Sequence, residues 1–507
     1  MKGFLLALLM QPRPDAGRDR TIALADGAGP YRPSAARHPV DQPAIDGQTF
    51  LAVAFVALLA ALWLLAVVFA GPSQPAVFLA PAALIVAAPA AVIFGAAALG
   101  RPRAIAMLVV VVAFGLSLSF RTREAGETGL DLQNGLKLLV WLLLPVIAFL
   151  NGRRILFFLR DPLVALMALS ALTAMVSTLW SPTPAYTGAS ALGMVSYLLL
   201  ACLAVAVLGE VALLRLLMVT LLLYALLTLA SPVLFPALAM MDAAEGPRLQ
   251  GLSGHPNVLG EQMAVLMTLT VILRRERLIG RPVFLAGLLL GLGILLASES
   301  RTYLLAVLLA WGIVAARLRG LLLPGLCGAA MLVAAGMLAM ALGHEPVPPE
   351  LLAVFSRSGS LSELATLTGR TDLWDIAEEL IAARPVFGWG YNGTEALFVA
   401  NAGRGFVGDP VNAHNMHLQS AVSLGLIGSL PAFAVLVLLI ARMVAAPDPM
   451  RDQFVLVVLI AGFAEVGIFA TPTLLTLVFF IFLASGALAS STPDMAVRRE
   501  ATGGPPA

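Results

Sequence analysis

The run GASALGMVSYLLLACLAVAVL, residues 188–208, decides the fold class, because it is long, apolar and free of charged side chains. A helix needs about 20 such residues to cross the hydrocarbon core of a bilayer. The whole chain has the same character: 60% of its 507 residues are hydrophobic, 12% are charged, and the mean hydropathy is +0.94. This composition excludes an ordinary soluble protein and predicts an all-α integral membrane protein.

Similar apolar runs recur along the chain and predict about 14 transmembrane helices, within a range of about 12–14. The two shortest runs, 136–150 and 302–316, are the weakest matches to the required length. The predicted spans are 49–70, 76–99, 104–120, 136–150, 162–179, 188–208, 213–235, 257–273, 282–298, 302–316, 321–342, 417–440, 453–470 and 472–491.

The placement of positive charge predicts the orientation of these spans. With both termini in the cytoplasm, most of the 31 Lys and Arg residues fall in cytoplasmic segments, as the positive-inside rule requires. The long polar interval 343–416 is then a large extracytoplasmic loop. The cytoplasmic clusters are Arg101/Arg103, Arg153/Arg154/Arg160, Arg274/Arg275/Arg277/Arg281, Arg317/Arg319, Arg442/Arg451 and Arg498/Arg499.

Composition divides the chain into four parts. The first ten residues imitate a signal sequence but lack a small-residue cleavage site, so we interpret 1–48 as a cytoplasmic tail that is mostly disordered. Residues 49–235 are apolar spans and form an N-terminal scaffold. Residues 236–491, which include the 343–416 loop, carry the polar motifs and the predicted catalytic region. Residues 492–507 are a cytoplasmic C-terminal tail.

Within the 343–416 loop, Thr371–Ala383 (TDLWDIAEELIAA) has the apolar spacing of an amphipathic helix. Thr371 is placed to cap the helix, and Asp372 and Asp375 lie in its first turn, where the helix dipole favours negative charge. Pro385 ends the helix. Two placements are open: the helix lies along the membrane surface, or it packs on the outer ends of the spans, which we favour.

Four polar motifs lie on the predicted outer side of the membrane. They are RLQGLSGHPN at 248–257, SESRT at 298–302, GRTDLW at 369–374 with PVFGWG at 385–390, and HN at 414–415. A membrane protein that collects its Arg, His and Gly-Pro turns on one side is expected to carry out its chemistry there. We therefore predict the functional site on the outer face.

In this order, the motifs resemble those of the O-antigen ligase and O-antigen polymerase superfamily of bacterial polysaccharide assembly. The shared pattern is R-x-x-G-x-x-x-H-P-N, S-x-S-R-T, G-R-T-x-x-W with P-x-x-G-x-G, and H-N before the span start L-G-L-I-G at 424–428. It covers roughly residues 240–440. Each motif alone is unspecific. The resemblance rests on the occurrence of all four motifs in the same order on one side of the membrane.

The resemblance implies a membrane glycosyltransferase. Its donor would be an oligosaccharide on undecaprenyl diphosphate, and its acceptor a sugar hydroxyl on a second lipid-linked glycan or on lipid A-core. Arg is suited to bind diphosphate oxygens, and His to accept the hydroxyl proton. We therefore assign catalysis to Arg248, Arg370 and His414. The substrate-binding candidates are Arg301, Asn415, Trp374, Asn257 and His255.

Each candidate also has a structural interpretation. Arg370 could only orient the helix that follows it, and Arg301 could only extend towards the membrane interface. His255 could be a turn residue before a proline. Trp374 could belong to an interfacial aromatic belt instead of stacking on a sugar. His417, one turn beyond the HN motif, is more typical of a packing residue than of a site.

Other residue classes limit the chemistry. No D-x-D motif occurs in the chain, so we predict a metal-independent, inverting reaction without a cofactor. Cys202 and Cys327 lie within predicted spans, which favours neither a disulfide framework nor a metal site. The basic clusters are short and juxtamembrane, so nucleic-acid binding is not indicated. The intramembrane carboxylates Glu261 and Glu465 either orient the arginines or satisfy helix contacts.

Three functions fit these observations. We favour an O-antigen or exopolysaccharide polymerase, because LTGRT at 367–371 and RPVFGWG at 384–390 resemble exopolysaccharide polymerases. The alternative is an O-antigen ligase. A lipid-glycan flippase is disfavoured, because the charges gather at one face and not along a central cavity. We expect the bacterial inner membrane, a periplasmic active site, and the bilayer and a chain-length regulator as partners.

Overall fold

The computed structural model describes residues 93–119, 132–243, 246–321, 370–402 and 411–501, together with the single positions 325 and 331. Helices make up most of these residues, which confirms the all-α class. The exception is a short antiparallel pair, β1 (Met240–Ala243) and β2 (Gly246–Leu249), in which Met241 lies opposite Arg248. The sequence motifs did not predict this hairpin.

The helices follow one another with short connections, some of which contain 3-10 turns at Leu156–Arg160, Ser177–Leu179 and Gly467–Phe469. In chain order they are α1 (Pro102–Ser117), α2 (Leu132–Leu150), α3 (Gly152–Ile155), α4 (Pro162–Val176), α5 (Pro184–Leu208), α6 (Glu210–Leu234), α7 (Pro236–Ala239), α8 (Pro256–Arg275), α9 (Arg281–Ala297), α10 (Arg301–Leu318), α11 (Arg370–Ala383), α12 (Glu395–Asn401), α13 (Met416–Ala445), α14 (Pro449–Ala461) and α15 (Leu474–Ala501).

Seven of the described helices are long and apolar enough to cross a membrane, namely α2, α4 with its 3-10 extension, α5, α6, α8, α10 and α13. Helices α1 and α9 and the part of α15 up to Leu488 are shorter but also apolar. The protein is therefore a multi-pass membrane protein. The count of about 14 spans stays a prediction, because 49–70 and most of 321–342 lie outside the described residues.

Helix α8 lies at the centre of the bundle, packed against α6, α9, α10 and α14. It carries more polar side chains than its neighbours, and two of them, Glu261 and Gln262, have partners on other helices, as suits a helix away from lipid. Glu261 accepts from the Tyr303 hydroxyl at 3.1 Å, and Gln262 donates to the Ser117 carbonyl at 3.2 Å. Helix α9 approaches α8 closely through Gly287 and Gly291, spaced as small residues at membrane helix contacts are.

The end of α14 departs from the sequence prediction. A continuous span was predicted over 453–470, and this is wrong, because α14 ends at Ala461 and residues 462–473 leave the α-helical path. Gly467 has φ +55°, a conformation that glycine adopts without steric cost. Pro472 follows shortly before α15. The break places Glu465 in a connecting segment and not on a helix face.

Helix α11 confirms the amphipathic helix predicted in the loop. It buries Leu373, Ala377 and Leu380 in a small cluster with residues of α12 and α13, so it packs on a span and not only on the membrane surface. Thr371 was expected to cap the helix, but the helix already includes Arg370, which places Thr371 inside the first turn. The packing fixes the direction from which Arg370 approaches the bundle.

Helix α13 is interrupted at Gly425, which has φ +61° and ψ −166°. Helix α13 starts at Met416, in agreement with the predicted span 417–440, and the LGLIG string lies within it and not at its first turn. The 385–390 loop satisfies the interrupted backbone: Trp389 N donates to Val422 O at 3.0 Å and Gly390 N to Ser423 O at 2.8 Å. On the other side of the break, Leu426 N donates to Pro385 O at 2.8 Å. The loop therefore ties α11 to α13.

Candidate functional site

The polar motifs meet at the end of the bundle where α8, α10, α11 and α13 begin. We call this the outer end, because the charge distribution predicts that it faces outside. At its centre is the carboxylate of Glu465, which is only 7% exposed. Its partners are Arg370, Asn257 and His414, which come from three different motifs.

Arg370 enters the cluster from the first turn of α11. Its Nη2 donates to Glu465 Oε1 at 2.8 Å, and its Nη1 donates to Thr302 Oγ1 at 3.3 Å. The Thr302 contact links the GRTDLW motif to the SESRT turn. The Arg370 side chain keeps 18% of its surface exposed, so it faces both the protein and the space outside it.

Arg248 lies deeper and is held by the protein itself. Its Nε and Nη2 both donate to the Ser298 carbonyl, at 3.2 and 2.8 Å, and Nη2 also donates to Asn257 Oδ1 at 3.2 Å. The Glu299 carboxylate lies 3.9 Å from Nε. Asn257 then donates through Nδ2 to Glu465 Oε1 at 3.3 Å. Its amide therefore bridges Arg248 to the central carboxylate.

His414 occupies a constrained position just before α13. Its φ is +43°, a left-handed conformation that is uncommon for a residue other than glycine. Its backbone N donates to Asn412 Oδ1 at 2.8 Å, which stabilises this turn. The imidazole Nδ1 lies 3.5 Å from Glu465 Oε2, within ion-pair distance of that carboxylate. The imidazole of His414 therefore lies beside the carboxylate of Glu465.

Asn415 and His255 cap helices. Asn415 Oδ1 accepts from the backbone N of His417 and Leu418 at the start of α13, and its Nδ2 donates to Phe463 O at 3.2 Å. His255 Nδ1 accepts from Asn257 N at 3.1 Å at the start of α8. This hydrogen bond supports the interpretation of His255 as a turn residue before Pro256. For Asn415, both polar atoms of the side chain are engaged within the protein.

The remaining candidates lie around this cluster. Arg301 is half-buried at the first position of α10, in the same turn as Ser298 and Thr302. Trp374 is half-buried one turn after Arg370 on α11, and its indole N–H has no hydrogen-bond partner in the described ranges. His417 packs between the rings of Phe433 and Phe463, at 5.7 and 6.0 Å, as expected for a packing residue.

The two carboxylates that were predicted to lie within spans have different surroundings. Glu261 accepts from Leu475 N at the start of α15, at 3.4 Å, and from Tyr303, so it joins three helices. Glu465, in contrast, contacts Arg370, Asn257 and His414 of the motifs. The sequence named both as possible partners of the arginines but did not place Glu465 among the site residues. The position of Glu465 in the sequence does not indicate this pairing, because the pairing depends on the break in the backbone after α14.

The charge of Glu465 is stabilised by its neighbours. Burial raises the pKa of its carboxyl, but the interactions with His414, Arg370 and His255 lower it more, so the pKa lies below its ordinary value of 4.5. Glu465 lies in the segment between α14 and α15, outside the spanning helices. The carboxylate is therefore ionised at neutral pH, where it pairs with the Arg370 guanidinium.

Comparison with known proteins agrees with the motif analysis. Residues 286–433 match the family model described as O-Antigen ligase. This confirms, over those residues, the resemblance to the O-antigen ligase and polymerase superfamily, and it supports a membrane enzyme of the ligase or polymerase type. Arg248, Asn257 and Glu465 lie outside the matched range. No curated protein matches the chain.

Proposed function

We propose that the protein is a glycosyltransferase of the bacterial inner membrane that polymerises glycan repeat units carried on undecaprenyl diphosphate, at the periplasmic face. The observation that carries this proposal is the convergence of Arg370, Asn257 and His414 on one buried carboxylate at the outer end, to which Asn257 also bridges Arg248. Cations held by a fixed scaffold suit a diphosphate leaving group, and a histidine among them suits a hydroxyl acceptor.

In this proposal, Arg370 binds the diphosphate of the donor. Two of its N–H groups are engaged with Glu465 and Thr302, and the partly exposed guanidinium has further donors for phosphate oxygens. Arg248 has a different role from the one its motif suggested. Because its donors hold Ser298 O and Asn257, it contributes positive charge and fixes the geometry beneath the site. Arg301 and Trp374 are proposed to contact the glycan at the rim.

His414 is the proposed general base. The acceptor hydroxyl attacks the anomeric carbon of the donor, a new C–O bond forms, and the bond from that carbon to the diphosphate oxygen breaks. The hydroxyl proton passes to the imidazole, and the lipid diphosphate leaves with the bonding electrons. This single displacement inverts the anomeric configuration and needs no metal ion. General-base catalysis of this kind contributes about 10²–10⁴-fold.

The test uses purified protein and a lipid-linked repeat unit, with polymer formation and donor binding measured for each variant. A charge-assisted hydrogen bond is worth roughly 1.5–3 kcal/mol, so Arg370→Ala should lower turnover by about one to two decades per contact. Arg370→Lys should recover only part, because an ammonium lacks the planar fork. Arg384→Ala is the matched control, since Arg384 stacks 4.0 Å over the Trp389 ring, away from Glu465.

His414→Ala should lose turnover by about 10²–10⁴-fold while donor binding persists, and His414→Gln should do no better. Near wild-type polymerisation by His414→Ala would place the base elsewhere. Loss of donor binding in that variant would make His414 a positioning or structural residue. Equal activity of Arg370→Ala, Arg370→Lys and wild type would exclude Arg370 from diphosphate binding.

A ligase is the second candidate, because the family model that matches residues 286–433 is described as O-Antigen ligase. Both functions use the same donor chemistry and differ in the acceptor. We therefore offer lipid A-core and lipid-linked repeat units separately to the purified protein. Transfer to lipid A-core without polymer growth would favour the ligase, and polymer growth alone would favour the polymerase, for which a chain-length regulator is the expected partner.

A further inference from the structure

We propose that Glu465 is a positioning residue that sets the tautomer of His414 and orients Arg370 for the same reaction. The inference rests on the proposed function for its catalytic consequence, but its structural part can be tested alone. Glu465 is the one group among the described residues that contacts Arg370, Asn257 and His414 together. No other carboxylate in the described ranges lies within ion-pair distance of His414.

The two carboxylate oxygens of Glu465 face different partners. Oε1 accepts from Arg370 Nη2 and Asn257 Nδ2, at 2.8 and 3.3 Å. Oε2 faces His414 Nδ1 at 3.5 Å. A carboxylate can only accept, so a neutral imidazole in this position keeps its proton on Nδ1. Nε2 is then left with its lone pair, which is the form that a general base requires.

The backbone holds His414 and Glu465 in register. Met416 N donates to Gly462 O at 2.7 Å, and Asn415 Nδ2 donates to Phe463 O at 3.2 Å. These two hydrogen bonds join the start of α13 to the segment that carries Glu465. The strained turn at His414 and the break after α14 therefore form one unit. The unit therefore holds the backbone of His414 close to the backbone of the segment that carries Glu465.

The same carboxylate completes the catalytic step. When His414 Nε2 takes the hydroxyl proton, the imidazole becomes a cation, and the buried charge of Glu465 stabilises it. At the same time, the hydrogen bond from Arg370 keeps that guanidinium beside the histidine. One side chain thus sets the relative position of the proposed base and the proposed diphosphate ligand.

Glu465→Gln separates these effects. The amide oxygen can still accept from Arg370 and Asn257, which directs the amide NH₂ towards His414. An N–H donor in that place favours the opposite tautomer, with Nδ1 as acceptor and the proton on Nε2. We expect turnover (kcat) to fall by about 10²–10⁴-fold with the KM for donor changed by less than about threefold. Glu465→Asp keeps the charge and should recover part of the rate.

The readout that does not depend on activity is ¹⁵N NMR of protein labelled at histidine, at about pH 8, where an ordinary imidazole is neutral. The chain has five histidines, and His414→Gln assigns the signal. Wild type should show the Nδ1–H tautomer, and Glu465→Gln the Nε2–H tautomer. Glu378→Gln, an exposed carboxylate on α11, is the matched control and should show the wild-type signal.

The outcomes separate the two proposals. A wild-type tautomer and wild-type kcat in Glu465→Gln, in protein that elutes and melts normally, would overturn the positioning role. Wild type with the Nε2–H tautomer would overturn it as well. A tautomer switch in a protein that transfers no lipid-linked glycan would support the positioning role and refute the proposed function. If Glu465→Gln does not fold, Glu465→Asp carries the test, and an Nε2–H tautomer there would contradict the inference.

Discussion

Substitution of Gly388 tests the contact that ties the candidate site to the bundle. Gly388 has φ +64° and lies in the PVFGWG loop, where it packs directly on the break in α13. A Cβ at this position would lie 2.5 Å from Gly425 N and 2.6 Å from Ser423 O. Both are backbone atoms, which cannot rotate away as a side chain can. The loop must therefore move if Gly388 is replaced by alanine.

The expected magnitude has two parts. A non-glycine residue in the left-handed region costs roughly 1–2 kcal/mol. Relieving the overlap separates the loop from α13 and breaks the hydrogen bonds nearest to it, from Trp389 to Val422 O and from Gly390 to Ser423 O. Each buried group left unpaired costs roughly 1–3 kcal/mol. Gly388→Ala should therefore lower the free energy of unfolding by roughly 3–8 kcal/mol unless the loop forms new hydrogen bonds.

The assay is heating of a detergent-solubilised fluorescent fusion, followed by size-exclusion chromatography of the fraction that stays monodisperse. Gly293→Ala is the control, because a Cβ on Gly293 in α9 meets no atom within 4 Å. We expect Gly388→Ala to lose its folded peak several degrees below both wild type and Gly293→Ala. If the two variants melt together, the loop does not hold α13 as described, and the positions of Arg370 and His414 need another explanation.

Three further predictions follow from the same structure. Impermeant thiol reagents should label cysteines introduced at positions 360 and 400 in spheroplasts of a cysteine-free background; labelling only after lysis would reverse the predicted orientation. The pKa of Glu465 lies below its ordinary value of 4.5, so its charge stabilises the folded protein. This stabilisation is fully present above pH 4.5 and is lost as the pH falls through the lowered pKa. The melting temperature of Glu465→Gln should therefore depend less on pH in the acid range than that of wild type. An equal pH dependence of the two proteins would contradict this. Asp452→Asn should lower the free energy of unfolding by about 3–5 kcal/mol, because Asp452 is fully buried between Arg317 and Arg451. Arg442→Ala should lower it by only about 0–1 kcal/mol, because Arg442 is partly exposed and lies 3.4 Å from the Asp161 carboxylate.

Much of the fold could be predicted because a bilayer leaves few choices. Backbone groups in lipid must be satisfied within the segment, so a long apolar run such as 188–208 becomes a helix. The helix 371–383 was found for a related reason, since its apolar stripe has the helical period. The orientation of the spans rests on the distribution of Lys and Arg alone and stays a prediction.

The errors lie where local pattern and tertiary contact disagree. Residues 453–470 are apolar enough for a span, yet the helix stops at Ala461 and Glu465 pairs with Arg370. The LGLIG string has the composition of a helix start, but Gly425 is a break within α13 that another loop repairs. In both cases the partner is distant in sequence, so no local period could reveal it.

Both polar ends of the bundle contain ion pairs. At the end opposite the site, which the charge distribution predicts to be cytoplasmic, Arg317 and Arg451 both contact Asp452, and Arg317 also donates to the Met443 carbonyl. These contacts join α10, α13 and α14 and account for their charges as structural pairs. Left-handed backbone conformations also occur at both ends: Arg277 and Glu299 adopt them directly after the ends of α8 and α9, where they are common, whereas His414 adopts one just before α13.

Such conformations cost of order 1–3 kcal/mol each and persist where the surroundings fix them. The left-handed turn at His414 lies in a motif that resembles the O-antigen ligase and polymerase superfamily, and the His414 Nδ1 faces a buried carboxylate. The end of a helix does not account for this turn, because His414 comes before the start of α13. The outer cluster is therefore the better candidate for chemistry, and the strained turn is explained if the position of His414 matters more than the stability that a relaxed turn would give.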